Sequence, residues 1–141
     1  MSTATPGAGI LDTSTVVLFE RCDAATLPAR PLITAVTLAE LSVGPLVAED
    51  DSERSARQAR LQQAEADFDS LPFDDAAART FGRVAASLRR SGRKVQARSF
   101  DAMIAAIAVA NGLPLFTVNP SDFEGIDGLD LRSIEHPDNS A

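Results

Sequence analysis

The amino-acid sequence predicts an α/β domain with a mainly parallel central sheet. Short apolar runs alternate with longer segments of helical periodicity, an order typical of successive strand–helix units. The clearest case is residues 99–118, where an apolar helical segment ends at Asn111-Gly112 and a short apolar strand follows. Because the 141 residues show no internal repeat and 45% of them are hydrophobic, one domain with a substantial core is expected.

The first seventy residues contain two strand–helix pairs and a long charged helix. Strands are predicted at residues 9–11 and 32–34, and helices at residues 13–22, from about residue 38, and at residues 51–69. Gly44-Pro45 marks a bend or early stop in the second helix. The third helix is rich in Ala, Arg and Gln and contains no Gly or Pro, so it is expected to lie on the surface.

The remaining residues supply two helices, two strands and a polar tail. The predicted elements are a connector or edge element at residues 71–73, a helix from Asp74-Asp75 to about Ser91-Gly92, a helix at residues 99–111, a strand at residues 115–118, a helical turn from Asn119-Pro120 and a candidate last strand at residues 129–134.

The bulk properties favour a soluble cytoplasmic protein. Cys22 is the only cysteine, so the chain forms no internal disulfide and suits a reducing compartment. Residues 1–9 lack the basic and apolar regions of a signal peptide. The longest apolar run, residues 102–110, is about half as long as a bilayer crossing requires.

The charge balance does not by itself indicate a nucleic-acid partner. Asp and Glu number 20 against 13 Lys and Arg, for a formal net charge of -7, whereas proteins that only bind nucleic acid are usually basic. Five basic residues nevertheless cluster within residues 89–98: Arg89, Arg90, Arg93, Lys94 and Arg98. This basic segment is a candidate RNA contact, and a solvated helix end is the alternative interpretation.

Any catalytic chemistry is expected to come from carboxylates. His136 is the only histidine and lies in the tail, and the chain has neither a Gly-rich phosphate loop nor a pair of cysteines. Four acids follow predicted strands or begin helices: Asp12, Glu40, Asp101 and Asp122.

Each acid also has a simple helix-capping interpretation. Asp12 would cap a helix after a strand, and Thr37 with Glu40 fits a capping box. Asp101 and Asp122 would favour the positive ends of their helices. If these helices follow parallel strands, however, all four acids share the carboxyl edge of the sheet, where α/β domains place ligand sites. Because four carboxylates would repel one another there, a hard cation such as Mg²⁺ or Mn²⁺ is expected among them.

Four short motifs surround these acids. In chain order they are Asp-Thr-Ser at residues 12–14, Leu-Ala-Glu-Leu at residues 38–41, Asp-Ala-Met-Ile-Ala-Ala at residues 101–106 and Thr-Val-Asn-Pro-Ser-Asp-Phe at residues 117–123. The ordered set strongly resembles the PIN-domain ribonucleases, and within them the VapC toxins of bacterial toxin–antitoxin pairs. The resemblance runs from about residue 10 to residue 134. The chain departs from the plainest version of the pattern at Ser99-Phe100, directly before the third acid.

The resemblance implies a PIN-like three-layer α/β/α domain at residues 10–134, between a flexible segment at residues 1–9 and a polar tail at residues 135–141. The implied activity is Mg²⁺- or Mn²⁺-dependent endoribonuclease cleavage of a structured RNA such as tRNA or ribosomal RNA. Such proteins are usually homodimers held inactive by a cognate antitoxin. The helix at residues 51–69 would then be a surface for RNA or antitoxin, and a solvated, salt-bridged helix is the alternative.

The same resemblance implies roles for single residues. The implied catalytic metal ligands are Asp12, Glu40 and Asp101, with Asp122 as the fourth. Ser14 and Asn119 would orient these ligands or hold water. The ion would lower the pKa of the attacking water and offset charge on the phosphoryl oxygens, and the number of ions stays open.

The sequence disfavours three alternative functions. An intact PIN fold could serve as a non-catalytic binding module for RNA or protein, but such a module has no need of a costly acidic cluster. A response-regulator-like phosphotransfer domain is disfavoured because Asp12 has no acidic neighbour and residues 117–120 supply no Lys. Ser14 disfavours a phosphatase with an Asp-x-Asp nucleophile.

Overall fold

The fold is built on parallel strands joined by helices. A computed structural model describes residues 7–139. The strands within these residues are Ala8–Leu11 (β1), Arg30–Thr34 (β2), Asp69–Leu71 (β3), Leu115–Thr117 (β4) and Leu131–Ser133 (β5). The α-helices are Thr13–Val17 (α1), Ala35–Leu46 (α2), Asp51–Asp67 (α3), Asp75–Arg90 (α4) and Ser99–Asn111 (α5).

The five strands form one sheet in the order β3-β2-β1-β4-β5, and every neighbouring pair is parallel. The chain adds β2 and β3 on one side of β1 and then returns to add β4 and β5 on the other. Strand order therefore reverses between β1 and β4, and ligands of open α/β sheets bind at the carboxyl ends of strands at such a switch point. The predicted parallel sheet is confirmed.

Alternate side chains of the strands enter two separate cores. Ile10, Leu32 and Leu115 pack on one face of the sheet with residues of α4 and α5. Leu11 and Ile33 pack on the other face with residues of α1, α2 and α3. This alternation is the period-two pattern of a strand covered on both faces, so the predicted three-layer α/β/α architecture is confirmed.

The central helix α5 fixes the position of Asp101. Its side chains from Ile104 to Ala108 are fully buried, and it ends at Gly112, whose φ of 65° is the left-handed C-cap conformation that glycine adopts without strain. Only three residues separate α5 from β4. The helix must therefore run back along the sheet and begin at the carboxyl edge, with Asp101 in its first turn.

The first two helices differ from the sequence prediction. α1 ends at Val17, and a 3₁₀ turn at Phe19–Arg21 replaces the rest of the predicted helix. The run of β-branched residues in α1 has weak helix propensity, which is consistent with the early end of this helix. α2 begins at Ala35 rather than near residue 38, because the Thr34 side chain caps it by accepting from the Thr37 amide at 3.3 Å. The predicted Thr37–Glu40 capping box is therefore wrong.

Smaller corrections concern the ends of elements. Gly44-Pro45 lies inside the last turn of α2, which closes one residue later at Leu46. The predicted flexible segment 1–9 is too long, because Ala8 and Gly9 belong to β1; residues 1–6 of it lie outside the described residues. In the tail, Pro137–Asn139 forms a 3₁₀ turn, and residues 140–141 lie outside the described residues.

The long charged helix predicted at residues 51–69 is confirmed as α3, but it ends at Asp67 and Asp69 already begins β3. Of its side chains only Ala64 is buried, and the Asp50 side chain caps it by accepting from the Glu53 amide at 2.7 Å. Neither α3 nor any other helix between residues 7 and 139 has the length and apolar character needed to cross a membrane.

Candidate active site

Asp12, at the carboxyl end of β1, is held by hydrogen bonds to both carboxylate oxygens. The backbone amide (3.3 Å) and hydroxyl of Thr15 donate to Oδ1, and the hydroxyls of Ser14 (2.9 Å) and Thr117 (3.0 Å) donate to Oδ2. The side chain is only 3% exposed. Burial raises the pKa of Asp12, and these hydrogen bonds oppose the rise because they favour the charged form.

Thr117 connects the end of β4 to this carboxylate. Besides donating to Asp12, its hydroxyl accepts from the backbone amide of Asn119 at 2.9 Å. The Asn119 side-chain amide in turn donates to the Ser14 hydroxyl at 3.0 Å. The motifs at residues 12–14 and 117–123 therefore form one hydrogen-bonded unit across the switch point, and Ser14 and Asn119 lie beside Asp12 as the sequence predicts.

Glu40 reaches the same edge from the second turn of α2. The Thr13 hydroxyl donates to Glu40 Oε1 at 2.7 Å and lies 2.9 Å from the Thr37 hydroxyl, which must therefore be the donor of that second bond. Burial raises the pKa of Glu40 most, the bond from Thr13 lowers it, and the charge of Asp12 raises it. The charge of Asp12 thus acts on Glu40, and the hydrogen bond from Thr13 fixes the position of the Glu40 side chain.

Asp101 shows most directly that the four acids converge. Its pKa is raised to about 6, first by burial and then by the negative charges of Asp122, Asp12 and Glu40, while Arg98 lowers it. A carboxyl group responds in this way only to charges nearby. The structure therefore brings together the acids that the sequence singles out.

Asp122 already has a cationic partner. It ends the 3₁₀ turn Pro120–Asp122, and its Oδ1 forms an ion pair with the Arg98 guanidinium; the two side chains are 33% and 35% exposed. Arg98 directly precedes α5, so this pair ties the start of that helix to the loop after β4. Of the four acids, Asp122 is the one that forms an ion pair with a described residue.

The carboxylates suit a hard cation in chemistry but are not gathered around a metal position. No group of three His, Cys, Asp or Glu side chains in residues 7–139 is arranged to hold an ion. In this arrangement hydroxyls donate to Asp12 and Glu40, and Arg98 pairs with Asp122. Carboxylate oxygens are nevertheless the ligands that Mg²⁺ and Mn²⁺ prefer, and a cation would relieve the repulsion that raises the pKa of Asp101.

Much of the basic segment 89–98 is paired within the chain. Besides Arg98 with Asp122, Arg90 pairs with Asp127 and Arg93 lies 3.8 Å from Glu124. Arg89 and Lys94 form no ion pair with any described residue. The predicted RNA contact therefore stays a prediction, and it now rests mainly on these two side chains.

Sequence reasoning assigned no site role to the threonines. Thr13, Thr15 and Thr117 each donate to a predicted acid, and Thr37 supports Thr13. The available signal is that a threonine follows the acid in the motif at residues 12–14 and ends a predicted strand in the motif at residues 117–123. Such a residue is positioned to bond the neighbouring carboxylate.

Comparisons with known proteins agree with this fold. The PIN domain family model matches residues 10–129. Ribonuclease VapC5 of Mycobacterium tuberculosis is 45% identical over 131 residues, covering 91% of this chain and 93% of that protein. The tRNA(fMet)-specific endonuclease VapC of Shigella flexneri is 38% identical over 97 residues, covering 69% of this chain and 70% of that protein.

A solved structure gives the same result. The crystal structure of VapBC-5, a member of the VapBC family of toxin–antitoxin systems from Mycobacterium tuberculosis, matches with a TM-score of 0.78 and 42% identity, covering 93% of this chain and 100% of the matched chain. The chain therefore belongs to the PIN domain family and, within it, to the group of VapC ribonucleases.

Proposed function

We propose that this protein is an endoribonuclease that hydrolyses RNA phosphodiester bonds at the carboxyl edge of its sheet. The observation that carries the proposal is the meeting of Asp12 and Glu40 with Asp101, whose pKa is raised to about 6 by burial and then by the charges of Asp122, Asp12 and Glu40. A fold gains no stability from gathering like charges, so a cluster with such a shift points to function. RNA as the substrate is supported by the relatives that are named ribonucleases.

The proposed cofactor is Mg²⁺, with Mn²⁺ as a substitute. Asp12, Glu40 and Asp101 would hold it, and Asp122 would complete the set. When bound, the ion would lower the pKa of the attacking water and offset negative charge on the phosphoryl oxygens.

The surrounding residues prepare these carboxylates. Hydrogen bonds to both oxygens of Asp12 fix its orientation, so little reorganisation is needed when RNA arrives. Thr13 holds Glu40 in the same way. The contact between Ser14 and Asn119 places further polar groups beside Asp12, where they can orient water.

We also propose that the protein is the toxin of a toxin–antitoxin pair, that it forms a homodimer and that a cognate antitoxin holds it inactive. The matched VapBC-5 structure is described as a member of a toxin–antitoxin family. A structured RNA such as tRNA or ribosomal RNA is the proposed substrate class, and one relative is named as specific for tRNA(fMet). Relief of growth arrest by a small protein encoded beside this gene would support the pairing.

The central test is RNA cleavage by Asp12→Asn and Asp101→Asn proteins. Each change keeps the side-chain shape and removes one negative charge, so we expect cleavage to fall at least a hundredfold, about 2.7 kcal/mol in transition-state free energy. Glu65→Gln, an exposed position on α3, is the matched control and should cleave normally. Thermal unfolding of each variant shows whether the fold is retained.

The cofactor is tested with the unchanged protein. EDTA should abolish cleavage, and added Mg²⁺ or Mn²⁺ should restore it. Cleavage that persists in EDTA or survives both substitutions would exclude the proposed site. A folded protein that binds RNA or a protein partner without cleaving RNA would instead be the non-catalytic module.

A further inference from the structure

Phe100 differs from the other aromatic residues of the chain in being exposed. The sequence contains seven Phe and no Trp or Tyr. All seven lie within residues 7–139; Phe123 is buried, five others are partly buried and Phe100 is 53% exposed. A single exposed apolar side chain is ordinary, so its position must carry the argument.

Phe100 lies in the first turn of α5, directly before Asp101. It is four and seven residues before Ile104 and Ile107, which places the three on one side of the helix. The two isoleucines are fully buried, whereas Phe100 emerges from the core at the carboxyl edge of the sheet. The apolar side of α5 thus ends in an uncovered ring next to the acid cluster.

The basic residues that precede this ring in the chain favour a nucleic acid over an apolar partner. The basic segment 89–98 leads directly into α5, and Arg89 and Lys94 in it form no ion pair within the described residues. An exposed aromatic ring that follows a basic segment in the chain is a combination suited to single-stranded RNA, since basic groups can hold the backbone while a ring stacks a base. Bases inside a duplex do not expose their faces to such a ring.

We propose that Phe100 stacks an unpaired base next to the phosphodiester bond that is cleaved, an inference that rests on the ribonuclease function proposed above. Phe100 acts through contact with the substrate and takes no part in holding the metal.

The absence of Trp and Tyr allows a direct test with Phe100→Trp in an Asp12→Asn background, which blocks cleavage. Stacking should quench the single Trp when a short unpaired RNA is added and not when a blunt duplex is added. Leu46→Trp in the same background is the control. Leu46 is 84% exposed and is the last residue of α2, about 17 Å along the helix from the first residue, Ala35, at the carboxyl edge of the sheet. Its fluorescence should not change with either RNA.

Cleavage gives a second measurement. With an unpaired substrate, Phe100→Ala and Phe100→Leu should lower kcat/KM by about five- to a hundredfold, the range for loss of one base–aromatic stack, while Phe100→Tyr should retain most of it. An abasic nucleotide at the stacked position should remove the difference between the unchanged protein and Phe100→Ala. Thermal unfolding should be the same for all three variants because the side chain is exposed.

The outcomes separate this inference from the proposed function. If Phe100→Ala leaves Asp12-dependent cleavage unchanged and the Trp fluorescence does not respond to RNA, the stacking role is overturned. The proposed ribonuclease function is then unaffected. A Trp signal that responds only to the antitoxin or to a second copy of the chain makes Phe100 a protein contact and also overturns it. Failure of the unchanged protein to cleave any RNA counts against the ribonuclease proposal, whereas the Trp measurement still tests base stacking.

Discussion

Asp12 accepts hydrogen bonds from two sequence neighbours and from Thr117, 105 residues further along the chain. Its bond from the Thr15 amide is an ordinary helix N-cap, and its bond from Thr117 belongs to the site between β1 and β4. Capping and metal binding are therefore compatible roles of one carboxylate. The donors also favour its charged form, which burial alone would disfavour.

Thr117→Val tests this arrangement at the scale of one hydroxyl. Valine keeps the shape of the fully buried side chain but removes the donor to Asp12 and the acceptor for the Asn119 amide. We expect the free energy of unfolding to fall by about 1–3 kcal/mol, the cost of leaving buried polar groups unpaired, and RNA cleavage to fall with it. Urea unfolding and a cleavage assay measure the two effects.

Thr80→Val is the matched control for that change. Thr80 is also buried, but its hydroxyl donates only to the Ala76 carbonyl one turn earlier in α4. Its loss should cost less than about 1 kcal/mol and leave cleavage unchanged, because that carbonyl keeps its place in the helix. Equal losses in both variants would show that Thr117 is an ordinary core threonine.

The raised pKa of Asp101 predicts a pH dependence of stability in metal-free protein. Because its pKa in the folded state, about 6, lies above the ordinary 3.8, the folded state binds the proton more tightly. This contribution to stability is fully present below about pH 4 and is lost as the pH rises through about 6. At pH 7.5 Asp101→Asn should therefore be more stable than the unchanged protein by roughly 1–2 kcal/mol, after allowance for partial exposure.

Urea unfolding in EDTA between pH 4 and 8 measures this effect. The stability difference between the two proteins should shrink as the pH falls. Glu65→Gln provides the same chemical change at an exposed surface position and should show no such trend. A constant difference across the range would mean that Asp101 does not carry the repulsion.

Among the elements, α5 could be predicted from the sequence and α2 only in part. The apolar period and the Asn-Gly ending define α5, and its predicted bounds are confirmed. The sequence does not reveal the first turn of α2, because residues 34–37 are rich in β-branched side chains and resemble a continuing strand. What starts the helix there is a cap from Thr34, a contact that a propensity argument does not weigh.

The candidate site, too, could be predicted only in part. The four acids could be found because each stands in a short local motif and their order matches the family. The hydrogen bonds from Thr117 to Asp12 and from Thr13 to Glu40 could not be predicted, because each joins residues at least 27 positions apart. They depend on how β1 pairs with β4 and on how α2 packs, which no local motif specifies.

The contact between the start of α5 and the turn after β4 predicts an effect of Arg98→Met. This change leaves Asp122 unpaired beside Asp101 and removes the charge that lowers the pKa of Asp101. We expect the metal-free protein at pH 7 to lose about 1–2 kcal/mol of unfolding free energy, because the pair is partly buried. Thermal and urea unfolding measure the loss, and adding Asp122→Asn should recover part of it.

Arg90→Met is the comparison for Arg98→Met. Its partner Asp127 is 74% exposed and does not affect the pKa of Asp101, so the loss should stay below about 1 kcal/mol. If both variants lose the same amount, the Arg98–Asp122 pair is an ordinary surface contact with no connection to the acid cluster.

For the molecule as a whole, the net charge of -7 does not promote RNA binding, so binding must depend on a local basic surface. Three of the five basic residues in the segment 89–98 pair with acids between residues 122 and 127, whereas Arg89 and Lys94 form no ion pair with a described residue. We therefore expect any phosphate contact of this segment to come from Arg89 and Lys94. Replacing both with Ala should weaken RNA binding and reduce the slope of log affinity against log salt by about 1.4, the value for two phosphates on a single strand.

Arg79→Ala with Arg83→Ala is the matched control, since both residues are exposed, form no ion pair with any described residue and lie earlier on α4. The two double variants carry the same net charge, so a general electrostatic effect would weaken RNA binding equally in both. A reduced slope confined to the Arg89 and Lys94 variant would place the RNA backbone along the segment that leads to Phe100 and Asp101. Equal slopes would instead support the alternative interpretation of the basic segment as a solvated helix end.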